Sequence, residues 1–158
     1  MLLPVLLGAT AGARSMTPLA AVSVAAATGQ LPRTFGAPKM LGKPLVAAGA
    51  LAMAAGELAG DKWKGAPDRI VVAGLLGRLV GGGIAAMSVA RRDQRWLAAA
   101  LGAGAAIASS YPTFHARMRA MGRWSQLRTG LVEDTLIVGA AILLVRAASR
   151  QAATAGTS

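Results

Sequence analysis

The 158-residue chain has no cysteine, one histidine (His115), six acidic residues and few aromatics: three Trp, two Phe and one Tyr. Without cysteine there is no disulfide framework, no thiolate nucleophile and no thiolate metal site. A single histidine excludes a histidine metal cluster within one chain, and its place where apolar sequence gives way to cations marks it as interfacial rather than as a charge switch. Because the few aromatics are not interleaved with a basic stripe, the net charge of +11 does not describe a nucleic-acid surface. There is no Walker loop, dinucleotide fingerprint, zinc-ligand spacing or nucleophile elbow, and Gly81-Gly82-Gly83 lacks the Lys-Ser/Thr of a phosphate loop. No cofactor, metal or nucleic-acid partner is expected, and no catalytic activity.

What is present is apolar. Hydrophobic residues make up 54% and charged residues 15% of the chain, against about 25% charged in soluble domains, and the mean hydropathy is +0.52. Segments 44–60, 70–90, 96–114 and 135–145 carry too few charges to offer a solvent face. In lipid only helices or closed barrels satisfy every peptide group, and runs of this length without period-2 alternation exclude a barrel. The fold class is therefore all-α: a polytopic membrane helical bundle of about five membrane segments. Its apolar character comes mainly from alanine and glycine, which suits closely packed helices.

The segments are 1–29, 44–60, 70–90, 96–114 and 129–146, within one integral membrane domain over 1–150 followed by a disordered polar tail, 151–158. The start resembles a signal peptide ending in Ala11-Gly12-Ala13, but no positive region precedes it. Segment 1 reads instead as two halves joined at Arg14 to Thr17, with Pro18 in the first turn of the second half. Residues 29–43 are a turn-rich surface connection. Segment 2 carries a small-residue ridge, Ala48, Ala52, Gly56 and Gly60, with Trp63 at its interface. In segment 3 Arg78 precedes the triple glycine, read as a close-packing site. Residues 115–128, where cations alternate with Met118, Met121 and Trp124, read as an interfacial helix.

An internal repeat links segments 1 and 4. Aligning Gly8-Ala9-x-Ala11 with Gly102-Ala103-x-Ala105 places Ser15 on Ser109 and Pro18 on Pro112 without a gap. The expectation is a broken helix used twice. If all five segments cross, the repeat is inverted and the loop cations divide eight (Arg33, Lys39, Lys43, Arg91, Arg92, Arg95, Arg146, Arg150) to seven. That leaves orientation unset by the positive-inside rule. If segments 1 and 4 are both re-entrant, the count becomes ten to five. Charge favours re-entry and the length of segment 4 favours crossing; five crossings are expected.

The strings Gly8-Ala9-x-Ala11-Gly12-x-Arg14-Ser15-x-x-Pro18-Leu19, Glu57-Leu58-x-x-Asp61-Lys62 and Gly77-Arg78-x-x-Gly81-Gly82 resemble those of an uncharacterised bacterial membrane family, domain of unknown function 4126. The resemblance covers most of the chain. It implies a multi-pass protein of the bacterial inner (cytoplasmic) membrane and no established activity.

The candidate site follows from the cost of charge in lipid, roughly 2.5–3.5 kcal/mol for an Arg at mid-bilayer on insertion scales. Arg14 and Arg78 must face the bundle, with Glu57, Asp61, Glu133 and Asp134 as available anions. One reading is a substrate site at which Arg14, the half-helix start at Ser15, Thr17 and Pro18, and its counterpart at Ser109, Ser110 and Pro112 converge on an anionic group. Glu57 with Asp61, one turn apart, would bind a cation or relay protons; Glu133 faces inward and Asp134 caps the helix or meets water. The other reading is structural: Arg14–Glu57 or Arg78–Glu133 ion pairs that lock the fold. The expected function is a small transporter or channel for an anionic solute or lipid head group. The alternative is a non-transporting assembly protein. Expected partners are membrane lipids, a small solute or ion, and further copies of the chain in a homodimer or higher homo-oligomer.

Overall fold

The computed structural model describes residues 1–60 and 72–155. Alanine and leucine, strong helix formers, dominate the six α-helices: α1 (Leu2–Thr10), α2 (Met16–Ala27), α3 (Pro44–Gly60), α4 (Val72–Ser88), α5 (Arg95–Met121) and α6 (Gln126–Ala155). The described residues contain no strand, only an isolated bridge between Phe35 and Arg91. The chain is all-α.

Local sequence sets several of the ends. Gly29, at φ 71°, closes α2 in the left-handed conformation, with the N–H of Gln30 donating to Ala25 O (2.8 Å) and that of Gly29 to Ala26 O (3.2 Å), the two bonds of a Schellman motif. Pro44 opens α3, where its missing N–H costs nothing. Ser125 accepts the N–H of Arg128 (3.4 Å) before α6.

Helices α1 and α2 form a hairpin. Leu2, Leu3 and Pro4, at the start of α1, line the same cavity as Arg33, Thr34 and Phe35, which follow α2. That cavity also takes in 89–94 and Ala148, Gln151 and Ala152 of α6. One end of the bundle thus gathers the start of α1, the exit of α2, the α4–α5 connection and the end of α6. It is tied by hydrogen bonds from Gly36 N to Ala90 O (2.8 Å) and from Arg92 N to Thr34 O (3.0 Å). The hairpin's turn, residues 11–15, lies inside the bundle, where Ala11, Ala13 and Arg14 are all buried.

Glycines set how α1, α4 and α5 meet. A Cβ on Gly8 would collide with Gly102 Cα and one on Gly12 with Ser109 Oγ and Ala106 O, while one on Gly82 would sit 2.7 Å from Ala106 Cβ and 3.1 Å from Gly8 O. The backbones approach as closely as small-residue interfaces allow. Gly8 meets Gly102 and Gly12 meets Ala106, each 94 positions apart, the offset of the internal repeat. The two copies pack against each other in register, so the recurrence of small residues is a contact requirement.

Three expectations about the segments are corrected here. First, segment 1 does not pass from end to end; it turns back, because its turn is held by carboxylates on α3 and α6. Second, segment 4 is not broken: α5 runs continuously through Pro112. Proline removes one N–H, and nearby hydroxyls bond neighbouring carbonyls, Ser110 Oγ donating to Ala106 O (2.7 Å) and Thr113 Oγ1 to Ser109 O (2.7 Å). Third, the repeat is not inverted, since contacts from Gly8–Gly102 to Gly12–Ser109 advance in the same direction along both copies. The result combines the two topologies, with segment 1 turning back and segment 4 running through.

Other boundaries also shift. Residues 115–128 are no separate interfacial helix: His115–Met121 complete α5 and Gln126 begins α6. Helix α6 continues to Ala155, into the expected tail. The ridge Ala48, Ala52, Gly56 and Gly60 faces outward, and α3 packs on α2 through Ala47, Ala50 and Ala54 instead. The triple glycine is a packing site, as its spacing suggested.

Candidate functional site

At the turn of the hairpin, α1 stops at Thr10, whose hydroxyl donates to Leu7 O (2.7 Å). Tight bonds then carry the chain round, Ala11 N to Gly8 O (3.0 Å) and Gly12 N to Ala9 O (3.0 Å). Arg14 projects from this turn with 1% exposure and forms an ion pair with Asp134 of α6. Helix α2 then begins without a cap from its own Ser15 side chain. Glu57 of α3 supplies that cap from outside: Oε1 accepts from Ser15 N (2.9 Å) and Ser15 Oγ (3.1 Å), and Oε2 from Met16 N (2.9 Å). The free N–H groups and dipole of a helix start favour a negative charge there.

Two further cations join the cluster. Arg117 of α5 pairs with Glu133 of α6 (2.9 Å). Arg78 of α4, 5% exposed, interacts electrostatically with Glu57, Glu133 and Arg14. Its Nη1 is buried and donates to no acceptor among the described residues. Gly81 brings α4 against the hairpin: a Cβ there would lie 2.6 Å from Ser15 O. Among the described residues three arginines thus face three carboxylates, Glu57, Glu133 and Asp134, delivered by α3, α4, α5, α6 and the hairpin turn.

Of the residues singled out in the sequence, Arg14, Ser15, Glu57, Arg78 and Glu133 come together. Pro18 is buried in the first turn of α2, and Thr17 is buried with a hydroxyl that has no partner. Ser109, Ser110 and Pro112 do not form a second helix start. Ser109 Oγ instead donates to Ala9 O (2.8 Å), pinning the hairpin to α5. Asp61 lies outside the described residues. The expected pairs Arg14–Glu57 and Arg78–Glu133 are replaced by Arg14–Asp134 and Arg117–Glu133. Asp134 is neither cap nor solvated; it is buried against Arg14.

Arg117 was missed because it lies in a cationic stretch that looks interfacial. The signal available was symmetry about the turn, since residues 117 and 133 each stand eight positions from Ser125. His115 is exposed, its Nδ1 2.7 Å from Tyr111 O. Among the described residues no group of three His, Asp or Glu side chains could hold a metal ion.

Two cavities flank the hairpin. One of about 950 Å³ opens at the end that gathers Leu2, Phe35, Ala90 and Gln151. The other, about 420 Å³, lies between α2, α3 and α6, lined by Ala and Leu with Thr17 and Arg146. Arg14 lines neither.

Fold and site together define an all-α protein in which a helical hairpin, inserted among longer helices, carries its turn to a buried charge cluster. A family model described as "Domain of unknown function (DUF4126)" matches residues 1–156, and the chain belongs to that family. No curated protein and no solved structure matches it.

Proposed function

We propose that this chain is a small multi-pass membrane protein of the bacterial inner membrane whose charge cluster, at the turn of a re-entrant hairpin, handles a small anionic solute as a transporter or channel. No helix among the described residues is by itself long and apolar enough to cross a membrane. The membrane reading is supported by where side-chain size falls. The buried core is mostly alanine, whereas Leu45 (83% exposed), Leu76, Leu97, Leu136 and Leu143 face outward. In water that arrangement places the hydrophobic effect on the wrong side; in lipid, small residues belong at helix contacts and leucine outside. Helices α3 and α4, of 17 residues each, are about 25 Å long, near the ~30 Å hydrocarbon core.

The observation that carries the transport reading is Arg78, a buried guanidinium with Nη1 unused. A purely structural cluster has no need of a third arginine short of acceptors, since buried ion pairs rarely stabilise more than apolar packing does, whereas intramembrane charge is functional by default. Partners on this reading are lipids, the solute and further copies of the chain, for which the exposed ridge on α3 offers a surface. The test is anion flux from liposomes containing purified wild type and Arg78→Gln, matched for folding and reconstitution. We expect flux in wild type and at least a tenfold loss in the variant.

The second reading, a non-transporting assembly protein, is favoured by Arg14: it is paired and dry, and neither cavity reaches it. No wild-type flux across a panel of anions would select it.

A further inference from the structure

Glu57 is itself an anion seated at a helix N-terminus. Both of its oxygens accept hydrogen bonds, one from a backbone N–H and a hydroxyl and the other from a second backbone N–H, all at 2.9–3.1 Å. Two adjacent donors, the N–H groups of Ser15 and Met16, match a planar two-oxygen group better than a spherical ion. The seat is the start of a 12-residue helix, so its N–H groups remain available to whichever anion occupies it. Independently, Arg78 is buried on the stretch of α4 whose Gly77 and Gly81 approach Ser15, and its Nη1 donates to nothing described. The site therefore has more donor capacity than its present occupant uses. Glu57 is only part-buried, which leaves its side chain room to leave.

We infer that the α2 N-terminus and Arg78 form a binding site for a small planar anion of the carboxylate class, and that Glu57 occupies it as a tethered stand-in that the free anion must displace. This deepens the transport reading by naming its solute class, and rests on it for physiological meaning. Arg14 is paired with Asp134 and Arg117 with Glu133, whereas Nη1 of Arg78 donates to no acceptor among the described residues, which leaves Arg78 as the cation that answers an incoming charge.

The test is a binding measurement in detergent, kept separate from flux. Purified wild type, Glu57→Ala and Glu57→Ala/Arg78→Gln are titrated with sodium acetate against sodium chloride at equal ionic strength, and Tm is read. In Glu57→Ala acetate should raise Tm saturably, by roughly 5–10 °C at about a hundredfold excess over Kd. Chloride should do markedly less, wild type should respond weakly, and the double variant not at all. Should Glu57→Ala not fold, Glu57→Gln keeps the side-chain volume without the charge, and acetate should raise its Tm in the same way.

No acetate-specific rise in a folded Glu57 variant overturns the inference. So does a rise that survives loss of Arg78, which would make Glu57 a helix cap only. Acetate binding without acetate flux from liposomes keeps the site and removes the transport reading.

Discussion

Arg14 shows how much a single side chain depends on its partner. Fully buried, it is paired with Asp134, and breaking a buried pair from one side costs about 3–5 kcal/mol. Asp134→Leu should therefore lower stability by that amount, while Arg14→Leu/Asp134→Leu should recover most of it; denaturant midpoints of the three proteins in detergent check the difference. Arg78→Gln should cost far less, because its Nη1 makes no bond to lose. Part of this was legible in the sequence. That Arg14 and Arg78 must be buried follows from their apolar surroundings, and the inward Glu133 from helical period. Asp134 as the partner was not legible, since adjacent residues on a helix differ by about 100° in direction and only the approach of α1 chooses between them.

At the scale of elements, the internal repeat has a physical account. Gly8 and Gly102 occupy equivalent positions and touch, as do Gly12 and Ala106, so the motif persists in both copies because each is the surface the other packs on. Gly8→Ala should force the helices apart and destabilise by about 1–3 kcal/mol. Gly104→Ala, whose Cβ would meet nothing within 4 Å, should be neutral or add up to about 1 kcal/mol through helix propensity. Thermal unfolding of the two variants side by side reads this contrast. The same repeat misled the reading of Pro112. Helix α5 runs on through Pro112, and Ala108, at the position equivalent to Arg14, brings no charge for carboxylates of other helices to hold in a turn.

At the scale of the whole molecule, the inserted hairpin puts the start of α1 at the same end as the end of α6. In a membrane this means four crossings and one re-entrant pair. The native absence of cysteine makes the topology directly measurable. Single cysteines at Leu2, Thr34 and Gln151 should react with an impermeant maleimide from one side of an oriented vesicle, and one at Ser125 from the other. Five crossings would instead move Leu2 to the side of Ser125. The hairpin moves no loop cation from one end to the other, and with Arg117 buried in the charge cluster the loop cations divide eight to six, so charge does not orient the protein, and the labelling supplies what the positive-inside rule does not.

The sequence by itself determined the helical class, the family, the small-residue contacts and which charges must be buried, because those follow from composition, period and the cost of desolvation, all local properties. Only the tertiary structure decided that segment 1 turns back, that Pro112 is passed without a break, that Asp134 answers Arg14 and that Glu57 fills the start of α2. Each of those depends on which of several equally good partners the packing of Gly8, Gly82 and Gly102 brings within reach.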